Sequence, residues 1–232
     1  MEIHGFQKTT LLDYPGHLAC TIFLGRCNFR CPFCHNSMLV INPENVKTIA
    51  EENVLNTLKK RQKILEGVCI TGGEPSLNPE LEDFIIKVKN LGFKVKLDSN
   101  GYKPMVLERM LSQKLVDYIA MDIKAGRSNY GRVCGVERLD IGRIEESKNL
   151  ICESAPDYEF RTTYVKGLHT EEDVLDIGQW LAGDAKYYIQ NYKDGETVIS
   201  PVYESFTANE LEAFKGLLSK TMTNVHIRGD YE

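Results

Sequence analysis

Residues 18–36 read LACTIFLGRCNFRCPFCHN. The first seven form a short β-rich apolar run. The sequence then breaks at Gly25 into a polar loop, 27–36, that holds three cysteines, two phenylalanines and a histidine. A strand that opens directly into a chemically loaded loop is the pattern of a parallel sheet whose function sits beyond the C-terminal ends of its strands. That architecture requires the same pattern to recur along the chain.

It does recur. β-rich runs at 67–71, 93–97, 118–123, 159–165 and 186–191 alternate with helical periodicity. Val46, Ile49, Val54, Leu55 and Leu58 keep roughly i, i+3, i+4 spacing in the first helical stretch. The second is expected to open with Asn78 as N-cap and Pro79 at its first position, burying Leu81, Phe84, Ile85 and Val88. Leu107, Met110 and Leu111 mark the third, and Ile144, Ser147, Leu150 and Ile151 the fourth. The last two begin at capping boxes, Thr170 with Asp173 and Thr207 with Glu210. A short run at 224–227 closes the edge. Six strand-helix units predict an α/β fold with parallel strands, two units short of a full eight-fold barrel. A partial barrel and a doubly wound sheet both satisfy that count. No Pro-, Gly- or Ser-rich linker intervenes, so a single domain over 1–232 is expected, with its cysteine loop at 25–40.

The 232 residues suffice for one large domain or two small ones, and a chain this long builds a core without disulfide staples. Hydrophobic residues at 42% and charged residues at 26% exclude a disordered or low-complexity scaffold. The net charge, 28 minus 33 or -5, comes with no basic block beyond Lys59-Lys60-Arg61, which argues against nucleic acid as a partner. No apolar stretch approaches the ~20 residues that span a bilayer. Residues 1–10 also lack a charged-then-apolar signal pattern, so a cytoplasmic protein with no membrane role is expected. Its thiols would stay reduced, and its seven cysteines then point to metal, catalysis or core packing. Cys27, Cys31 and Cys34 fall within eight residues, whereas Cys20, Cys69, Cys134 and Cys152 are scattered. Cys20 and Cys69 lie within strand runs and read as core.

Each polar cluster follows a strand: the triplet, then Thr71-Gly72-Gly73-Glu74-Pro75, Asp98-Ser99-Asn100-Gly101, Asp122-Ile123-Lys124, Arg161-Thr162-Thr163 and Gln190-Asn191. Three thiolates at C-x-x-x-C-x-x-C spacing suit three irons of a cubane, leaving the fourth iron an open position. Other chemistries share parts of the pattern. Cys31 to His35 matches C-x-x-C-H haem attachment, but that normally requires export. A redox C-x-x-C leaves Cys27 unexplained. A zinc site from three cysteines and His35 is the strongest rival, although Cys34 and His35 are adjacent and do not readily converge on one tetrahedral ion.

The triplet with Phe33 before its last cysteine, followed one unit later by Gly72-Gly73-Glu74-Pro75, resembles the signature of radical S-adenosylmethionine enzymes. The resemblance implies a partial (β/α)6 TIM-like barrel with parallel strands, a [4Fe-4S] cluster and S-adenosylmethionine as cofactors. It also implies reductive cleavage of the sulfonium to a 5'-deoxyadenosyl radical. Asp13-Tyr14-Pro15-Gly16, Cys34-His35-Asn36, Asp98-Ser99-Asn100-Gly101 and Met121-Asp122-Ile123-Lys124 are similar to the glycyl-radical-enzyme activating proteins. The opening residues 5–10 and the pairs Arg161-Thr162 and Gln190-Asn191 look most like the long form of the anaerobic ribonucleoside-triphosphate reductase activating protein. The implied partners are therefore that glycyl radical enzyme and a flavodoxin or ferredoxin electron donor. Another glycyl radical enzyme or a small molecule is the alternative substrate.

By the same resemblance Cys27, Cys31 and Cys34 are the cluster ligands. Phe33 and His35 approach the adenine, Gly72 and Gly73 let the backbone come close to the methionine moiety, and Glu74 fixes that loop or the amino group. Asp98, Ser99 and Asp122 would line a pocket for a monovalent cation, with Lys124 as charge partner. Asn100 and Gln190 are further cofactor-binding candidates. Arg161 needs an acceptor, which the cofactor carboxylate, the target backbone or an internal salt bridge would supply. Gln190-Asn191 stands where the formate-lyase activating enzymes carry a histidine-containing strand end, a departure that weighs against a formate-lyase substrate. The loop at 125–140, with Arg127, Tyr130, Arg132 and Arg138, reads either as a substrate contact or as a solvated linker.

Overall fold

Ile3–Thr10 forms the first strand, β1, and the quoted run forms the second, β2 (Ala19–Leu24). The structure, a computed structural model, describes residues 1–195 and 197–229; residue 196 and residues 230–232 of the expected 1–232 domain lie outside them. The later strands are β3 (Gly67–Gly72), β4 (Lys94–Ser99), β5 (Tyr118–Asp122), β6 (Tyr158–Tyr164), β7 (Tyr187–Asn191) and β8 (Val225–Arg228). The helices are α1 (Ser37–Ile41), α2 (Glu51–Lys60), α3 (Leu81–Asn90), α4 (Pro104–Ser112), α5 (Tyr130–Cys134), α6 (Ile141–Ser154), α7 (Glu171–Trp180) and α8 (Ala208–Leu218). Sheet order follows chain order from β1 to β8. β2 pairs with β3, β3 with β4, β6 with β7 and β7 with β8 in parallel, as the alternation predicts.

Two local expectations need correction. β1 has no counterpart among the six units and runs antiparallel to β2. Only Ile3 and Thr10, at its two ends, are buried, and Gln7, Lys8 and Thr9 are exposed, so neither an apolar run nor a helical period marks it. The helix expected to start at Pro79 starts instead at Leu81, with Glu80 as its N-cap. A 3-10 turn, Pro75–Leu77, already takes the Asn78 N–H at the Pro75 carbonyl. The Asn78 side chain accepts from Glu80 N–H at 2.9 Å instead, an Asx turn leading into the helix. Leu81, Phe84, Ile85 and Val88 are nonetheless the buried residues of α3, because the periodicity is independent of where the first turn begins. Both capping boxes form, Thr170 with Asp173 on α7 and Thr207 with Glu210 on α8. A cap of this kind contributes about 1 kcal/mol.

The chain divides into two compact units. The first comprises Met1–Asn28, Asn36–Ala120 and Arg143–Tyr158. Its core is Ile22, Leu24, Val68, Ile70, Val95 and Leu97 from β2, β3 and β4, covered by Val54 and Leu58 of α2 and the apolar face of α3, all fully or almost fully buried. Each such side chain stabilises by roughly 1.5–3 kcal/mol. The second comprises Phe29–His35, Met121–Gly142 and the chain from Glu159 onward. There Phe160, Tyr164, Tyr187 and Ile189 are buried with Val174 and Ile177 of α7 and Leu211 and Leu218 of α8. The Tyr164 and Tyr187 hydroxyls pair at 3.0 Å, which satisfies both inside the core. No helix among the described residues is long and apolar enough to cross a membrane.

Candidate functional site

In the first unit the ends of β2, β3 and β4 bring their polar residues together. Arg26, with φ +71°, turns the chain out of β2 toward Cys27. The Gly72-Gly73 pair zips onto this turn: Gly73 N–H donates to Leu24 O and Glu74 N–H to Arg26 O, each at 2.8 Å. A Cβ at Gly72 would run into the Leu24 carbonyl, and one at Gly73 into the Arg26 carbonyl. The close approach that requires glycine here is thus to the chain entering the cysteine loop. Asn36 Nδ2 donates to the Gly72 carbonyl at 2.6 Å.

Glu74 is buried and ties its own loop and the end of β4 to one carboxylate. Its Oε1 accepts from Ser76 N–H at 3.1 Å, from Ser76 Oγ and from Ser99 Oγ at 2.9 Å; its Oε2 accepts from Asn100 N–H at 2.7 Å. Burial pushes the Glu74 carboxyl above the usual range, and these four donors pull the other way. Of the two roles expected for Glu74, fixing the loop is the one these bonds perform. Ser76, missed in the sequence, is part of the anchor. Asn100 Nδ2 lies 2.9 Å from Asn28 Oδ1 and 3.8 Å from Cys27 Sγ. Asp98 takes the buried Lys96 ammonium, a partner two residues back on the same face of β4.

In the second unit Cys31 and Cys34 lie on a loop held by main-chain bonds. Cys34 N–H reaches Cys31 O at 3.1 Å, Arg30 N–H reaches Cys134 O at 2.8 Å, and Ser200 N–H reaches Pro32 O at 2.8 Å. Phe33 meets His169 edge-on at 6.2 Å, and His35 lies 6.0 Å from the Tyr192 ring. Asp122, at the end of β5, is clamped by Lys124 Nζ at 2.8 Å and Arg161 Nε at 2.5 Å. Burial would raise the Asp122 carboxyl, but the Arg161 guanidinium and the Lys124 ammonium overcome it and hold it well below the usual carboxylate range. Burial would likewise lower Lys124, and the Asp122 carboxylate and then the Cys31 sulfur hold it up. Of the acceptors weighed for Arg161, the internal salt bridge is present. Lys124 is the charge partner of Asp122, as expected.

Gln190 is half-buried on β7, in register with Thr163 and Arg228. The 125–140 loop contains α5, whose Tyr130 is fully buried and donates to the Asp122 carbonyl at 3.3 Å. Arg127 pairs with Asp176, and Arg132 donates to Asn129 and the Leu168 carbonyl. The loop therefore packs on its own unit through Arg127, Tyr130 and Arg132. Cys20 and Cys69 are buried, and burial pushes the Cys20 thiol up to about 12. Cys134 is buried too, its thiol pushed to about 11, and Cys152 is exposed. His169, which the sequence reading left out, carries no motif that would have marked it.

The residues present fit an iron-sulfur cluster. Cys27, Cys31 and Cys34 are thiols. An amide nitrogen lies 3.8 Å from Cys27 Sγ, and the Lys124 ammonium interacts electrostatically with the Cys31 sulfur, surroundings that suit ligands to a cluster held by thiolates. The buried Asn28 Nδ2, next in sequence to Cys27, has no hydrogen-bond partner among the described residues, a donor that suits an acceptor from outside the polypeptide.

An α/β chain with such a cysteine loop at the end of its first parallel strand defines a class, and the sequence profile of the radical SAM superfamily matches residues 21–181. The chain belongs to that superfamily, whose members use a [4Fe-4S] cluster and S-adenosylmethionine; it is a radical SAM enzyme. Among individual relatives, a Methanocaldococcus jannaschii protein described as a candidate glycyl-radical enzyme activating enzyme is 31% identical over 97% of this chain and 95% of its own length. The pyruvate formate-lyase-activating enzyme of Clostridium pasteurianum is 32% identical over 53% of this chain and 52% of its own. Streptococcus suis SuiB shares the fold with a TM-score of 0.68 at 14% identity, over 90% of this chain and 48% of its own, so this chain spans about half of that protein. Archaeal TYW1 matches with a TM-score of 0.60 at 14% identity, over 92% of this chain and 75% of its own. The expected partial-barrel α/β fold is the one found.

Proposed function

We propose that this radical SAM enzyme, working as one domain, installs a glycyl radical on an anaerobic ribonucleoside-triphosphate reductase. The observation that carries the activating role is the match to a candidate glycyl-radical enzyme activating enzyme along nearly the whole of both chains. The choice of reductase rests on residues 5–10, Arg161-Thr162 and Gln190-Asn191.

In this reading Cys27, Cys31 and Cys34 hold the cluster. When bound, the cluster supplies the single electron that cleaves S-adenosylmethionine, delivered by a flavodoxin or ferredoxin. Gly72, Gly73 and Glu74 fix the β3 loop beside the chain entering Cys27. Phe33 and His35 flank the adenine, and Gln190 and Ser99 complete the cofactor contacts. Asp122, Lys124 and Arg161 form a charge-balanced set in which Lys124 meets the cofactor carboxylate. Asp98 and Asp122 each have a protein cation already, so a monovalent cation is not needed for charge balance.

The test is anaerobic reconstitution followed by reduction with S-adenosylmethionine present. Formation of 5'-deoxyadenosine and a glycyl EPR doublet on an added anaerobic reductase supports the proposal. Cleavage with a doublet only on pyruvate formate-lyase assigns the other activating role. Cleavage with no doublet on either sinks activation.

A further inference from the structure

The side-chain amide of Asn100 is fixed at every atom. Its Oδ1 accepts from Tyr102 N–H at 3.0 Å, which commits the oxygen and turns Nδ2 toward Asn28 Oδ1 and Cys27 Sγ, 2.9 and 3.8 Å away. Its main-chain N–H is held by Glu74 Oε2 at 2.7 Å. A donor restrained at backbone and side chain loses little entropy when it meets an acceptor. Asn28 is fixed in turn. Because its Oδ1 receives the Asn100 amide, exchanging its oxygen and nitrogen would set two donors face to face. Its own Nδ2 is buried with no partner among the described residues. Burying an amide donor unpaired costs roughly 1–3 kcal/mol, and such a group usually signals an acceptor that the polypeptide does not provide.

We propose that Asn100 and Asn28 are positioning residues for the iron-sulfur cluster at Cys27, Asn100 Nδ2 donating to the Cys27 thiolate and Asn28 Nδ2 to a sulfur of the cluster. The inference rests on the cysteine triplet as cluster ligands. Hydrogen bonds to cluster sulfur offset negative charge and favour the reduced state, so each raises the reduction potential. Glu74 enters only through Asn100: it sets the height of the donor and touches no cofactor atom in this role.

The experiment is an EPR-monitored redox titration of the full chain, reconstituted anaerobically with iron and sulfide, comparing wild type with Asn28→Ala and Asn100→Ala. One net hydrogen bond is worth about a fivefold change in an equilibrium, so the reduced-to-oxidised ratio at a fixed potential should fall about fivefold in each variant. Iron release to a chelator should also quicken. Unchanged potential and unchanged iron release in both variants overturn the proposal. If Asn100→Ala does not fold, Asn28→Ala decides alone, because it removes the donor that has no protein partner. A wild-type chain that takes up no iron-sulfur chromophore defeats the cluster assignment itself. A potential shift in variants of a chain that activates no glycyl radical enzyme upholds this inference while the proposed substrate fails.

Discussion

His169 Nε2 lies 2.7 Å from the main-chain carbonyl of Lys124. Val165 N–H donates to the other ring nitrogen at 3.0 Å, so the imidazole is neutral with its proton on Nε2. The same ring meets Phe33 of the cysteine loop at 6.2 Å. One buried histidine therefore sets both the backbone that carries Lys124 and the packing of the loop that carries Cys31 and Cys34.

This arrangement gives a pH dependence with a definite sign. Burial lowers the His169 imidazole below its ordinary 6.5, outweighing the pull of the Lys124 carbonyl. The unfolded chain then takes up the proton first as pH falls, so His169 contributes stability that is present above about pH 6.5 and lost below it. In urea unfolding of the apo-protein, wild type should lose more stability between about pH 7 and about pH 5 than His169→Gln does. Parallel profiles for the two chains would assign the acid loss to other groups.

Asp122 and Arg161 give a second prediction. Each side chain is largely shielded from water, and losing either takes one partner out of a charge network that also includes Lys124 and Glu159. Breaking such a pair costs roughly 3 kcal/mol. Asp122→Asn and Arg161→Ala should both lower the urea midpoint at neutral pH. Because the folded Asp122 carboxyl is depressed, its contribution is present above about pH 4 and lost as pH falls through its folded value. The gap between wild type and Asp122→Asn should narrow in acid.

What the sequence made legible is what lies close along the chain. The cysteine triplet, the glycine pair and both capping boxes are local patterns, and the Asp122-Lys124 pair joins opposite charges two residues apart in sequence. The Asn28–Asn100 contact spans 72 residues and Lys124–His169 spans 45, and no local spacing encodes either. Lys96 sits at the same two-residue interval from Asp98 yet was not named, because its burial depends on the neighbouring strands.

Glycine substitution separates conformational strain from close approach. Gly92 follows α3 with φ +86° and nothing within 4 Å of where a Cβ would stand. Gly92→Ala should cost about 1 kcal/mol, the strain of a left-handed residue alone. Gly73 is not in the left-handed region, but its Cβ would overlap the Arg26 carbonyl. Gly73→Ala should cost more, about 3 kcal/mol or above, since main chain must move on both sides. Thermal unfolding of the two variants should therefore rank Gly73→Ala well below Gly92→Ala, and the reverse order would show that the β3 loop yields easily.

Glu74 tests whether the anchor depends on a carboxylate. Four donors converge on its two oxygens, three on Oε1 and one on Oε2. A glutamine offers one acceptor oxygen and sets an NH2 against the remaining donors, so Glu74→Gln either strands Asn100 N–H or turns away from Ser76 and Ser99. A buried donor left without an acceptor costs roughly 1–3 kcal/mol, whereas Ser76→Ala removes one side-chain donor and its bond to Glu74 for about 1 kcal/mol. Chemical denaturation should place Glu74→Gln below Ser76→Ala in stability. If the glutamine variant is as stable as wild type, the four bonds do not hold the loop, and the position of Asn100 over Cys27 must come from the packing of Gly101 and Ser147, whose hydroxyl donates to the Gly101 carbonyl at 2.5 Å.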